Sequence, residues 1–465
     1  VVTATISDGD MATLAGLTET GNAYSIAISD TSVAVTALNT LDGKTTVAIN
    51  ASNINTLTGS AADLNTAYTS AGISGLNNEA VTLNDTTLAV SVLNDLDGRT
   101  SGAINASSIN TLTGSAADLI TAYDSGGITG LGNEAVNVNS GSASTSQANA
   151  LAADTSGVVT ATISDGDMAT LAGLTETGNA YSITITDNSV AAAALNTLDG
   201  KTSVAINASN ITTLTGAAAD LNTAYTANGN GSITGLGNEA ATLSDTTLAV
   251  SVLNDLDGNT SGVIDASSIN TLTSDDYDSL NTAYTAAGSG AITGLGNEAI
   301  TVNNRIRASE ANTLNGHTSG VVTATVTDSN GTSALLVSNA LTLNGTGNAY
   351  SIFIRDRTVA TTDLLSIDAL TTVTINAARI TRLTGTYASI ISTYAAETAG
   401  TISGIGSNCS FTASGSITVA EANTLSGLIS HGSRSLTATI SNGDMATLAG
   451  ISESGHNLSI TITDN

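Results

Sequence analysis

The sequence predicts a repeat solenoid: a parallel β-solenoid, β-helix-like, with about one strand per coil and short helical turns between strands. Three observations predict it. Residues 1–26, VVTATISDGDMATLAGLTETGNAYSI, recur unchanged at 158–183. Short alternating apolar stretches return along the whole chain, and between them lie segments with apolar residues three or four positions apart. One coil of this size cannot bury its own apolar stripe, whereas stacked coils bury a continuous core and pair each strand with the next.

The strands come first. TATIS, YSIAIS, TVAIN, AVTLN, GAIN and AVNVN, centred on Ile6, Ile28, Ile49, Leu83, Ile104, Val138 and Ile163, alternate β-branched with polar residues. That alternation reads as half-buried strand. Each ends in Ser, Asn or Asp, a natural N-cap. Helical faces follow: Met11, Leu14 and Leu17; Val33, Ala37, Leu38 and Leu41; Leu64 with Tyr68. Residues so spaced share one side of a short helix or 3₁₀ turn. Gly16, Gly43, Gly59, Gly98 and Gly114 are read as closing these turns.

At the largest scale VVTAT starts at Val1, Val158 and Val321, and SLTATISNGDMATLAG at Ser435. This gives repeat unit 1 at 1–157, unit 2 at 158–320, a shortened and divergent unit 3 at 321–434, and the start of a further unit at 435–465. Residues 31–85 and 86–140 are tandem copies inside unit 1. About eighteen coils at about 4.8 Å each predict a body ~85 Å long.

Composition agrees and excludes several function classes. The chain of 465 residues has 41% hydrophobic residues, no Trp, no Pro and 46 Gly. Small and β-branched residues fill a narrow regular core, and absence of Pro leaves backbone donors free for ladders. Lys+Arg 10 against Asp+Glu 39 gives a net charge of −29. Nucleic-acid binding, which needs clustered cations, is not expected, and no apolar run is long enough to span a bilayer. The single cysteine, Cys409, rules out an internal disulfide framework.

GVVTATISD, NAYSIAISD, LNTLDGKT, INASNINTLTG and AADLNTAY resemble repeats of very large secreted bacterial surface proteins of the cyanobacterial, adhesin-like type. The likeness covers nearly the whole chain. It implies secretion to the exterior or cell surface, multicopy repeats, and a role in matrix, coat, filament or attachment. The calcium-binding nonapeptide G-G-x-G-x-D of related arrays is absent.

Few residues offer chemistry. NDLDGRT at 94–100 and NDLDGNT at 254–260 contain D-x-D-G, part of a calcium loop but without its later ligands. Stacked coils would also align carboxylates in columns, which divalent cations relieve. Asp8, Asp10, Asp95, Asp97, Asp255 and Asp257 are therefore the candidate calcium ligands, and calcium is the one cofactor considered. Asp8 is equally read as a helix cap, with Asp10 favouring the helix's positive end. His317, His431 and His456 show no metal spacing, and Cys409 has no His beside it. Asn-x-Ser/Thr sites such as Asn50-Ala51-Ser52 are read as internal ladders and caps. Arg305, Arg307, Arg355, Arg357, Arg379, Arg382 and Arg434 concentrate in the third unit as a candidate contact zone for an acidic neighbour.

With no triad and no phosphate loop, an enzyme is not expected. The expected function is structural: a rigid extracellular rod that associates head to tail into a fibre or a surface or matrix layer. The alternatives are the stalk of a large adhesin, a cation-binding surface protein, and an ice-binding or polysaccharide-acting β-helix. Surface polysaccharide or other matrix components are the expected further partners.

Overall fold

Alternation puts every second residue of a strand on one face, and here those residues line up from strand to strand. The structure, a computed structural model, describes residues 1–327, 335–429, 434–452 and 454–463. Its chain forms two compact bodies, Val1–Leu214 with Thr223–Leu236, and Thr215–Asn222 with Gly237–Asn465.

In the first body Val33, Leu57, Val81, Ile104 and Ile128 are successive partners across one parallel sheet. Its strands are Ser32–Ala34, Thr56–Gly59, Ala80–Leu83, Ile104–Asn105 and Ile128–Thr129. All five side chains are buried. A second parallel sheet runs through Thr87–Ala89, Thr111–Gly114, Ala135–Val138, Val159–Thr162 and Ala180–Ser182, with Leu88, Leu112, Val136 and Val159 in file. Helices Val35–Asp42, Ala61–Thr69, Val90–Asp97, Ala116–Asp124 and Thr145–Asp154 pack in succession. Each turns a wholly buried leucine inward: Leu38, Leu64, Leu93, Leu119 and Leu151. Burying one such side chain contributes about 1.5–3 kcal/mol.

The second body repeats the scheme. Leu248, Leu272, Ile300 and Val322 are in register on the strands Thr247–Ala249, Thr271–Ser274, Ala299–Arg307 and Val322–Thr327. Val359, Leu383, Phe411 and Leu436 do the same on Thr358–Ala360, Arg382–Gly385, Ser410–Ile417 and Leu436–Ile440. The architecture is thus one of open parallel sheets built from repeated strand–helix units, not a closed barrel.

Three expectations need correction. The described residues hold 33 strands and 17 α-helices, about two strands per helix rather than one strand per coil. The additional strands, such as Ile73–Ser74 and Thr56–Gly59, are short and lie outside the alternating stretches that the sequence shows. Val33, read as part of a helical face, lies in the strand Ser32–Ala34. Gly43 and Gly98 do follow helices as C-caps, but Gly59 and Gly114 end strands. A Cβ at either would collide with the Val35 or Val90 side chain, so these glycines serve close approach between strand and helix.

Candidate functional site

Many of the acidic residues are held by amides and hydroxyls of the chain itself. Asp10 caps the helix Met11–Leu14 and accepts from the Thr13 N–H at 3.1 Å. A second set reaches between strand–helix units. The first N–H of a helix donates to an aspartate of the following unit: Met11 to Asp30 at 2.7 Å, Ala61 to Asp85 at 2.8 Å, Thr145 to Asp165 at 2.7 Å. Met168 to Asp187, Ala218 to Asp245 and Val337 to Asp356 repeat the bond. Helix starts leave such N–H groups without intrahelical partners and favour negative charge.

The six candidate calcium ligands are not brought together. Asp8 is exposed and accepts from the Asp10 N–H at 3.0 Å. Asp97 is half-buried and accepts from the Ser125 hydroxyl at 2.7 Å, as Asp42 does from Ser70 at 2.6 Å. Asp95 and Asp255 are exposed on the helices Val90–Asp97 and Val250–Asn259, and Asp257 is half-buried on the latter. Among the described residues no three His, Cys, Asp or Glu side chains converge where a metal ion could be held. D-x-D-G is here the last turn of a helix rather than a loop.

The residues that sequence reasoning missed are four glutamates of the NEA motif. Glu79, Glu134, Glu239 and Glu298 are at most 1% exposed. The Tyr68 hydroxyl donates to Glu79 at 3.0 Å, and Tyr123 and Tyr284 donate to Glu134 and Glu298. Backbone N–H groups of Asn77, Gly132, Gly237 and Gly296 also donate to the four carboxylates at 2.7–3.2 Å. Burial pushes the phenols of Tyr68, Tyr123 and Tyr284 well above their ordinary range, so they stay protonated donors. Each glutamate's carbonyl in turn accepts from a threonine hydroxyl: Thr100, Thr155, Thr260 and Thr318. Two residues after each threonine stands Gly102, Gly157, Gly262 or Gly320, where a Cβ would collide with that same carbonyl.

Elsewhere Tyr24, Tyr181 and Tyr350 occupy the glutamate's place. Their carbonyls accept from Thr45, Thr202 and Thr371 at 2.7–2.8 Å. There Val47, Val204 and Val373 replace the glycine. Glutamate goes with glycine, and tyrosine with valine. The spacing of glutamate to T-S-G, 21 residues in three copies (Glu79 to Thr100, Glu134 to Thr155, Glu239 to Thr260), was the signal available in the sequence.

The remaining candidates are structural. Cys409 is wholly buried, its Sγ lies 3.3 Å from the Ile380 carbonyl, and burial pushes its thiol up to about 11. That holds it as a thiol rather than a nucleophilic thiolate. His317 stacks on Tyr284 with ring centroids 4.7 Å apart. His456 accepts from the Leu436 N–H at 3.2 Å, where Asn22, Asn179 and Asn348 accept from Val2, Val159 and Val322. His431 lies outside the described residues. Of the arginines, Arg307 pairs with Glu310 at 3.4 Å and Arg379 lies over the Phe353 ring.

Two apolar grooves recur beside the four-residue helices. One, of about 260 Å³, lies between Met11–Leu14 and Val35–Asp42; its counterpart, of about 240 Å³, lies between Met168–Leu171 and Ala192–Asp199. The chain's two lysines, Lys44 and Lys201, rim them and donate to the Thr18 and Thr175 carbonyls. A four-residue helix covers less of its neighbour than a ten-residue one, which leaves the notch.

No protein-family model, curated protein or solved structure matches this chain. No helix among the described residues is long and apolar enough to cross a membrane.

Proposed function

We propose that the chain is a structural extracellular protein: a β-solenoid wound into a rigid rod that assembles end to end, through its coil faces, into a fibre or a surface or matrix layer. The observation that carries this reading is the inter-unit aspartate cap, in which Ala61 donates to Asp85 and Thr145 to Asp165. A helix completed only by the next unit makes stacking itself the stable state. The polar side chains support it too, since the buried glutamates, tyrosines and threonines bond to the chain and not toward an open cleft. The exterior location rests on the resemblance of the repeats to secreted surface arrays, and no enzymatic role is proposed. Negative-stain electron microscopy of the purified chain tests the reading. Narrow rods that join end to end support it, and separate round particles overturn it.

A further inference from the structure

Two sets of exposed residues depart from the repeat, and they are opposite in charge. In the third unit Arg357, Arg379 and Arg382 stand where the first unit has Thr31, Asn53 and Thr56, and the second has Asn188, Asn210 and Thr213. All three arginines are exposed, and none forms a salt bridge with a described residue. They lie on two consecutive strand–helix units, because the Thr381 and Arg382 N–H groups donate to the Arg357 carbonyl at 2.8 and 2.9 Å. Arg379 replaces a structural amide, which Asn53 and Asn210 donate to the Ile28 and Ile185 carbonyls. Its guanidinium lies 5.4 Å from the centre of the Phe353 ring, where the other units have Ala27 and Thr184. A ring beneath a guanidinium attracts and restrains it, so less freedom is lost when it binds.

The opposite departure lies in the first unit. Asp124 stands where other copies have Thr69, Thr226 and Thr285, and Asp154 where they have His317 and Leu428. These aspartates are the last residues of the successive helices Ala116–Asp124 and Thr145–Asp154, which pack together and have no basic residue in their last turns. The C-terminal end of a helix favours cations, not anions. Both side chains are exposed, and neither accepts a hydrogen bond from a described residue or pairs with a described cation. Partial burial and the Asp124 charge beside it push the Asp154 carboxyl above its ordinary value. The two carboxylates thus repel each other.

From this we infer that Arg357, Arg379 and Arg382 dock the Asp124–Asp154 edge of a second copy of this chain. Guanidinium forks match carboxylates in bidentate geometry. One exposed ion pair contributes little, but both sets span two successive units, so several pairs form in one contact. The second copy also relieves the repulsion between its own two aspartates. Each copy carries one set of either sign, so the contact is heterologous and continues from copy to copy. It joins flanks rather than ends, and therefore goes beyond the end-to-end reading without resting on it.

Sedimentation velocity of full chains tests the contact. The parent should associate at about 0.1 M salt and dissociate toward about 1 M, as the Debye length falls from about 10 Å to about 3 Å. Arg357→Gln with Arg379→Gln and Arg382→Gln should self-associate at least about tenfold more weakly, as should Asp124→Asn with Asp154→Asn. Mixing these two variants restores the parent's affinity, since one keeps the aspartates and the other the arginines. Arg99→Gln, at an exposed arginine outside the set, leaves association unchanged. The aspartate variant is the decisive one. It is less negative than the parent's −29, so net repulsion alone would strengthen its association. An aspartate variant that associates as strongly as the parent overturns the inference. So does a mixture that fails to recover, or a parent that stays monomeric at about 0.1 M salt up to millimolar protein. Rods that join only by their ends, equally in parent and variants and at about 1 M salt, overturn the flank contact and leave the rod reading intact. A salt-sensitive contact that recovers on mixing, made between round particles, upholds the flank contact and sinks the rod reading.

Discussion

The Tyr68 hydroxyl donates to Glu79 Oε2 at 3.0 Å, and the glutamate it meets is wholly buried. A buried carboxylate is tolerated only when its oxygens are satisfied. Removing one donor leaves the charge under-compensated. Tyr68→Phe should therefore lower unfolding stability by about 1–3 kcal/mol, read as a shift in urea midpoint at constant slope. An unchanged midpoint would show that the bond is not made.

Tyrosine burial also sets an alkaline limit. Burial pushes Tyr181 and Tyr350 from 10.0 up to about 12. A raised value in the folded state means that the folded protein holds the proton more tightly, so stability is full below pH 10 and falls as pH rises toward 12. The thermal midpoint should decline across this window, and less steeply in Tyr350→Phe. Identical slopes for the two proteins would contradict the assignment.

Glycines four residues apart should behave oppositely. Gly102→Ala drives a methyl group into the Glu79 carbonyl, an overpacking cost of about 1–3 kcal/mol. Gly98 is a right-handed helix C-cap at φ −72°, where a Cβ meets nothing closer than 3.6 Å. Gly98→Ala should be neutral or stabilise by about 0.4–1 kcal/mol. Denaturant titration of both variants measures the contrast, and equal effects would sink it.

The inter-unit caps predict unequal worth among aspartates. Asp85→Ala removes the partner of the Ala61 N–H and should cost about 0.5–2 kcal/mol. Asp95→Ala, on an exposed helix face, should fall within about 0.5 kcal/mol of the parent. The Thr170 and Thr447 N–H groups hold Asp167 and Asp444 below their ordinary value of 3.8. Their stabilisation is present above pH 3.8 and is lost as pH falls below it.

Chelator should leave the melting curve unchanged, because Asp8, Asp10, Asp95, Asp97, Asp255 and Asp257 do not gather into a site. A lower midpoint in chelator, restored by calcium, would reinstate them as ligands.

Much of the fold was legible because the repeat is written in apolar periodicity. Leu38, Leu41 and Leu64 lie on helices where their spacing put them, and Ile49 and Ile104 on strands. Strands outside the alternating stretches were not legible. Thr56–Gly59 is held in place by neighbours before and after it rather than by its own four residues. Glu79 was hidden for a related reason. A lone acid in NEA reads as a solvated side chain until Tyr68, Thr100 and Gly102, from separate stretches of chain, are seen to meet at it. Asp8 was read as the cap of the helix Met11–Leu14, but Asp10 holds that place, and Asp85 and Asp165 cap helices of the preceding unit, a relation that only stacking creates.

The stacking itself is tested most directly by disulfide formation between register partners. Thr82 and Asn105 face each other across parallel strands and both side chains are exposed. With Thr82→Cys and Asn105→Cys in one chain, oxidation should give rapid, near-complete intramolecular cross-linking, and Thr82→Cys with Ser107→Cys, two residues out of register, should give little. Cross-linking that is absent from the first pair, or equal in both, would contradict the in-register parallel ladder.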